Sequence, residues 1–136
     1  MKTADLKRVI EQGCVEITRL NARIHETVRF RDASPRQRDE WKSACAEFHS
    51  RYDALAFPGG YAGAVDRILA GDPYSVEAAL CFLEVRPYFF RSGYMFKELM
   101  RKVKRAPLSS EQAERLQGVV QRQALWREAR LRENAA

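Results

Sequence analysis

Residues 6–27 read LKRVIEQGCVEITRLNARIHET, and their apolar or small side chains recur at alternating steps of four and three residues. The repeating positions are 6, 10, 13, 17, 20, 24 and 27. This spacing places one narrow apolar seam on a helix and is typical of a helix that packs along a second one. The sequence therefore predicts a helix from about Ala4 to about Phe30. Gly13 lies on the seam and has no side chain, so a facing helix can approach closely there.

A second helix begins directly after this segment. Ser34 is suited to cap its N-terminus, Pro35 to occupy its first position, and Gln37 to complete a capping box. Apolar side chains then repeat with the same spacing to about Ala56. Because the link between the two helices is short, residues 1–56 are expected to form a long antiparallel helical hairpin.

The remaining chain carries start and stop signals for shorter helices. The segment FPGG, residues 57–60, ends the second helix, Asp72 and Pro73 start another, and Ser109 with Gln112 form a second capping box. Four shorter helices in stacked pairs are expected within residues 57–133, followed by a frayed tail at 134–136. The expected helices span about 61–70, 73–85 and 92–105, with the last beginning near Ser109. The predicted fold is all-α: a six-helix bundle forming a single domain over residues 1–136, without strands.

Composition sets limits on the class of protein. A chain of 136 residues with 46% hydrophobic and 31% charged residues is typical of one globular domain. Three widely spaced cysteines, Cys14, Cys45 and Cys81, form neither a disulfide framework nor a zinc motif, so reduced thiols and a cytoplasmic location are expected. No apolar run is long enough for a secretory signal or a membrane span, and no membrane contact is expected.

The net charge of +6 is concentrated in one segment. Residues 86–105 read RPYFFRSGYMFKELMRKVKR and contain seven basic side chains and one acidic one, whereas the other 116 residues contain seventeen of each. A local excess of this kind indicates an anionic partner more strongly than a diffuse excess does.

On a helical wheel, the basic side chains of this segment fall opposite its apolar ones. Phe96, Leu99, Met100 and Val103 form the face expected to be buried. The residues predicted to bind a partner are Arg86, Arg91, Tyr94, Lys97, Arg101, Lys104 and Arg105. Arginine and tyrosine are enriched at binding hot spots. The alternative interpretation is an ordinary solvated helix face, with Phe89 and Phe90 as plain core residues.

Two kinds of anionic partner fit this surface. An acidic protein is the first: the chain would be a non-catalytic interaction protein, either an adaptor or a toxin-neutralising immunity-type protein. Nucleic acid is the alternative, since basic residues neutralise phosphates and aromatic rings stack on bases. No RNA-recognition, KH, zinc-finger or helix-turn-helix pattern supports the alternative. The apolar seam of residues 4–56 also allows self-association, if it exceeds what one partner helix covers.

One set of residues suggests catalysis. Cys45, His49 and Asp53 lie four residues apart on one helix, in the order of a nucleophile, a base and an orienting acid. Three groups on one helix give poor substrate access and no oxyanion donors, so a buried cysteine beside a surface His–Asp pair is the preferred interpretation and no enzyme activity is expected. No metal site and no cofactor are predicted. Glu77 and Glu84 are expected to form salt bridges with Arg86 or Arg91.

Overall fold

The computed structural model describes residues 2–135, and this range contains six α-helices and no strand. The helices are α1 (Thr3–Val28), α2 (Pro35–Ala56), α3 (Ala64–Leu69), α4 (Pro73–Val85), α5 (Ser92–Val103) and α6 (Ser110–Ala135). The prediction of an all-α bundle is confirmed, and the helix starts follow the capping signals. No helix among residues 2–135 combines the length and apolarity needed to cross a bilayer.

The caps of α2, α4 and α6 form, but the Gln37 side chain accepts from the Ser34 hydroxyl at 2.9 Å, where a full capping box would have it accept from the Ser34 N–H. The hydroxyl of Ser34 accepts a hydrogen bond from the Gln37 N–H at 3.2 Å, and the carboxylate of Asp72 accepts one from the Ser75 N–H at 3.0 Å. At the start of α6, the hydroxyl of Ser109 accepts from the Gln112 N–H at 3.1 Å, and the side chain of Gln112 accepts from the Ser109 N–H at 3.1 Å. These bonds satisfy amide groups that the first helical turn leaves without partners.

Helices α1 and α2 form the predicted hairpin. Ion pairs join Arg23 to Glu47 at 3.3 Å and Glu16 to Arg51 at 2.9 Å. The residue that is earlier on α1 pairs with the residue that is later on α2, so the two helices are antiparallel. The seam side chains Leu6, Ile10, Ile17 and Leu20 are at most 2% exposed.

The seam of α1 is covered by two helices of the same chain, because α1 contacts α4 as well as α2. Helix α4 therefore covers apolar surface of α1 that would otherwise be free for self-association through residues 4–56. The oligomeric state stays a prediction, which sedimentation at high concentration would test.

Helix α4 lies at the centre of the bundle and contacts α1, α3, α5 and α6. Its middle, Ala78–Leu83, is at most 2% exposed on every side. A helix that is apolar around its whole circumference must be surrounded by other elements. The other helices therefore take their positions from α4, and this arrangement decides where α5 and α6 present their outer faces.

Helix α6 is as long as α1 and is not one of four shorter helices, and it ends two residues beyond the expected end at residue 133. It has 26 residues and continues through Ala135, so Asn134 and Ala135 are helical rather than frayed. Ala136 lies outside the described residues. Leu116 and Val119 are buried in the bundle, but every side chain from Ala124 to Ala135 is exposed. The last three turns of α6 thus extend from the bundle as a single helix.

Candidate partner-binding surface

Helix α5 presents two opposite faces, as the wheel predicts. Phe96, Leu99, Met100 and Val103 are at most 6% exposed, and Met95 is buried beside them. The other face is exposed and carries the ridge, by which we mean Arg91, Tyr94, Lys97, Arg101, Lys104 and Arg105. Six of the seven residues predicted to bind a partner therefore share one exposed face.

The cations of the ridge form no ion pair with any described residue of the chain. Across residues 2–135, no carboxylate oxygen lies within 4.0 Å of the charged groups of the ridge. Glu98 is the only acidic residue of the segment 86–105, and it accepts a hydrogen bond from the hydroxyl of Tyr61, in the loop between α2 and α3. Burial and the Glu98 carboxylate both raise the pKa of Tyr61, so this phenol stays protonated and donates. Glu98 is thereby held toward this loop.

Cations on the helical hairpin behave differently. Arg19 and Arg51 both contact Glu16, and these two hydrogen-bonded guanidinium groups lower the pKa of that carboxyl to about 2. Arg19, Arg23 and Arg51 also reach Glu47. These cations of the hairpin are thus paired with carboxylates of the same hairpin, whereas the cations on α5 face solvent.

Arg86, the seventh predicted residue, lies away from the ridge and is half-buried. Its guanidinium carbon lies 3.6 Å from the ring centroid of Phe96 and 5.8 Å from that of Tyr88. One of its terminal nitrogens is buried and has no hydrogen-bond partner among the described residues. The stack over Phe96 compensates part of the cost of burying this charge. Arg86 therefore belongs to a hollow behind the ridge.

The link between α4 and α5 has a residue with positive φ at each end. Arg86 has φ of 53° and Arg91 has φ of 67°, and they are the two non-glycine residues of the described chain in the left-handed region. Such residues cost free energy, so the surrounding structure must hold them there. Ser92 contributes by accepting a hydrogen bond from the Phe89 N–H at 3.0 Å. This geometry turns the chain so that α5 starts with Arg91 and Tyr94 pointing outward.

The aromatic side chains of the link divide into core and surface. Phe89 packs edge-on against Phe82 of α4, with ring centroids 6.2 Å apart. Phe90 contacts Phe48 and yet remains 49% exposed, while Tyr88 and Tyr94 are 72% and 76% exposed. The interpretation of Phe89 as core is confirmed, whereas Tyr88, Phe90 and Tyr94 offer aromatic surface beside the arginines.

Helix α6 adds a second wall that the sequence did not indicate. A groove of about 660 Å³ lies between α5 and α6. Its lining includes Lys97, Arg101 and Lys104 from the ridge, Arg127 from α6, and the apolar side chains Met100, Val120 and Ala124. A smaller hollow of about 260 Å³ adjoins it, since Gln123 lines both. This hollow is walled by Arg86, Tyr88, Phe96, Arg122 and Trp126.

The position of α6 depends on a salt-bridge cluster. Arg115 pairs with Glu77 at 2.7 Å and with Glu84 at 2.6 Å, and Lys7 lies 3.5 Å from Glu84. The prediction that Glu77 and Glu84 form salt bridges is confirmed, but the expected partners, Arg86 and Arg91, are wrong. The true partner lies more than thirty residues further along the chain, where only the tertiary fold brings it to α4.

The electrostatics of this cluster favour the charged forms. Burial, the largest single effect, raises the pKa of both carboxyls. The hydrogen bonds and charge of Arg115, together with smaller contributions from Thr3 at Glu77 and Lys7 at Glu84, outweigh burial and leave both pKa values below the ordinary value. The pKa of Arg115 is raised, chiefly by its hydrogen bonds to Glu84 and Glu77. Helix α6 is thus joined to α4 by charges that stay ionised at neutral pH.

The Cys45–His49–Asp53 arrangement is not joined by contacts. Cys45 is half-buried, and His49 is exposed and meets Phe48 edge-on at 5.9 Å. Asp53 accepts a hydrogen bond from the Ala62 N–H at 2.8 Å and so holds the loop 57–63. No hydrogen bond or ion pair links these three side chains in the described part of the chain, so the expected His–Asp pair does not form. Within residues 2–135, no three metal-ligating side chains are grouped to hold an ion.

Comparison of the chain with protein-family models, with curated proteins and with solved structures found no match. The chemistry of the surface itself therefore carries the functional argument.

Proposed function

We propose that this chain is a non-catalytic, all-helical interaction protein that binds an acidic protein partner through the ridge of α5. The observation that supports the proposal is that, across residues 2–135, no carboxylate oxygen lies within 4.0 Å of the charged groups of the ridge. Like charges on one face repel each other, and binding of an external anion relieves this repulsion.

The neighbouring aromatic surface supports a protein as the anion. Tyr88, Phe90 and Tyr94 are exposed beside Arg86 and Arg91. Tyrosine and arginine anchor protein interfaces because each offers a large contact area together with directed hydrogen bonds. An adaptor or a toxin-neutralising immunity-type protein is the kind of binding protein that fits a surface of this composition.

The apolar part of the groove favours protein over nucleic acid. Met100, Val120 and Ala124 lie between the cations of α5 and α6, and Glu98 also lines the groove. A phosphate backbone has no apolar group to cover such a floor. Acidic proteins carry apolar side chains beside their carboxylates. We therefore treat nucleic-acid binding as the experimental result that would overturn the proposal.

The proposed location is the cytoplasm. Cys14, Cys45 and Cys81 are all free thiols. Unpaired cysteines persist in reducing compartments, where disulfides are rare.

A matched pair of charge reversals tests the proposed function. K97E/R101E/K104E reverses the ridge, and K2E/R36E/K42E changes the net charge equally at exposed positions on or beside α1 and α2. Proteins captured from the source cells by the wild-type chain should be lost with the ridge variant and kept with the control. Circular dichroism should show unchanged helicity in both.

Two results would reject the proposal. One is equal capture by both charge-reversal variants, which would mean that the ridge is not the binding face. The other is tight binding of a random-sequence nucleic acid at low salt, with an affinity that falls log-linearly as salt rises.

A further inference from the structure

Helices α5 and α6 make little direct contact with each other. Helix α6 makes its main contact with α4, through Leu116, Val119 and the Arg115 ion pairs, and no comparable contact joins it to α5. Beyond this anchor α6 continues into solvent, where Trp126 is 49% exposed and Leu131 is 68% exposed. The two helices therefore form the walls of an open groove.

The groove has an apolar floor and two cationic edges. The floor contains Met100 from α5 with Val120 and Ala124 from α6. Lys97, Arg101 and Lys104 stand along one edge, and Arg127 stands on the other. Such a cross-section, apolar in the middle and positive on both sides, is the complement of an amphipathic helix whose apolar stripe is bordered by carboxylates.

The adjoining hollow offers an anchoring pocket at one end. Phe96, Trp126 and Tyr88 supply aromatic walls, and Arg86 and Arg122 supply positive charge. Glu84 also lines the hollow, but its carboxylate is bound by Arg115 and lies near Lys7. In the groove itself, Glu98 is engaged by Tyr61. The carboxylates that line the groove and the hollow are thus already bound by other side chains of the chain, whereas the cations there remain available to a ligand.

Charge argues against a second copy of the chain as the occupant. A two-fold contact would bring the same positive groove against itself. Most acidic side chains of the α1–α2 hairpin face, such as Glu16 and Glu47, are already paired. The groove requires an acidic element from another protein.

We propose that the α5–α6 groove binds an acidic amphipathic helix of the partner, with apolar side chains on the Met100–Val120–Ala124 floor and one large apolar side chain in the hollow beside Trp126. This inference rests on the proposed function, since it takes the partner to be an acidic protein. It adds that the partner contributes a helix with an apolar stripe, not a flat acidic surface.

Trp126 provides the readout. The chain has two tryptophans, and Trp41 lies beside Arg31, with the guanidinium 5.2 Å from its ring centroid. In a W41F background, Trp126 emission reports on the hollow alone. The full chain would be titrated with a synthetic peptide of about 15 residues, or about four helical turns, bearing leucines at alternating three- and four-residue steps and glutamates elsewhere. A scrambled peptide of the same composition, which has no stripe, is the control.

The striped peptide should shift Trp126 emission and bind at least about tenfold more tightly than the scrambled one. A124E places a carboxylate on the groove floor and should weaken the striped peptide by about tenfold. A129E adds the same group to another face of α6 and should leave the affinity unchanged. Both positions are exposed, so neither change should disturb the fold.

The other outcomes separate the two proposals. If both peptides bind equally and K97E/R101E/K104E abolishes both, the groove inference fails and the proposed function stands. If neither peptide nor polyglutamate binds, both fail. If random single-stranded RNA binds and the peptides do not, both fail in favour of nucleic acid.

Discussion

The backbone of α2 passes directly over Gly13 of α1, at Leu55. A β-carbon at Gly13 would lie 3.3 Å from the carbonyl carbon of Leu55 and would overlap its carbonyl oxygen. Backbone cannot move aside as a flexible side chain can. Gly13 thus fixes the distance between the two long helices, and the sequence predicted this role from its place on the apolar seam.

G13A should therefore destabilise the chain although it raises helix propensity. Overlap with a backbone carbonyl forces the helices apart, and we expect a loss of about 1–3 kcal/mol in the free energy of unfolding. G118A is the matched control, because a β-carbon there meets only the Arg122 side chain at 3.6 Å. It should stabilise by about 0.5–1 kcal/mol. Urea unfolding measures both, and an unchanged G13A would show that the contact is loose.

A second prediction concerns the pH dependence set by Arg115. In the folded chain the pKa of Glu77 and of Glu84 is lowered from 4.5, so their contribution to stability is complete above that pH and is lost as the pH falls through the folded values. R115Q leaves the half-buried Glu77 without a charged partner and Glu84 with only Lys7, 3.5 Å away. It should cost about 1–3 kcal/mol at neutral pH. The stability difference between wild type and R115Q should shrink as the pH falls below 4.5.

R132Q is the control for R115Q. Arg132 and Glu128 form an ion pair at 3.6 Å whose side chains are 79% and 61% exposed. Removing such a pair should change stability by less than about 0.5 kcal/mol. Urea midpoints measured across the pH range provide the comparison. A difference between wild type and R115Q that stayed constant with pH would contradict the role assigned to the carboxylates.

Local signals were enough to predict most of the fold. Ser34, Asp72 and Ser109 each cap a helix, and their hydrogen bonds involve residues three positions away, within reach of sequence reasoning. The sequence placed the end of the last helix at residue 133, two residues before Ala135, although the apolar pattern fades after Ala124. Arginine, glutamate, alanine and leucine have high intrinsic helix propensity, which accounts for a helix that continues without packing.

The ridge could be predicted from sequence, whereas the groove could not. A helical wheel places Lys97, Arg101 and Lys104 on one face, because they follow one another at three- and four-residue steps along a single helical segment. Arg127 joins them only through the path of α6, which depends on contacts between Arg115 and α4. The charge of α6 also gave no signal, since its basic residues are interspersed with acidic ones. Arg86 was grouped with the ridge because sequence does not show that its side chain stacks on Phe96.

Arg91 is expected to lower the stability of the fold through its backbone conformation and to strengthen partner binding through its charge. Its φ of 67° is unfavourable for a residue with a β-carbon. R91G removes this strain, although glycine loses more entropy on folding, and a net gain of about 0.5 kcal/mol is expected. The same change removes a cation from the ridge and should weaken binding of the striped acidic peptide.

R91K and R91A separate the two effects. R91K keeps both the charge and the strain, and should resemble wild type. R91A keeps the strain but loses the charge, and should weaken binding without a gain in stability. Denaturant unfolding and peptide titration are measured on each variant. A loss of stability in R91G would mean that the Arg91 side chain, whose guanidinium lies 5.3 Å from the Phe90 ring centroid, holds the link in place.

The cations of the ridge should destabilise the chain at low salt. Helix α5 has 12 residues and is therefore about 18 Å long. The Debye length is about 30 Å at 0.01 M salt and about 3 Å at 1 M, so repulsion along the ridge acts in dilute buffer and is screened in concentrated salt. K97Q/R101Q/K104Q should raise the free energy of unfolding by a few tenths to about 1 kcal/mol in dilute buffer. The gain should vanish at high salt.

K2Q/R36Q/K42Q neutralises cations that are spread over α1 and α2, and its stability should depend less on salt. Thermal unfolding across a salt series compares the two variants with wild type. If K97Q/R101Q/K104Q instead lost more than about 1 kcal/mol at every salt concentration, the ridge would hold the fold together and the binding proposal would lose its basis. A stabilised variant that no longer binds the striped peptide would show that these charges lower stability and serve an external anion.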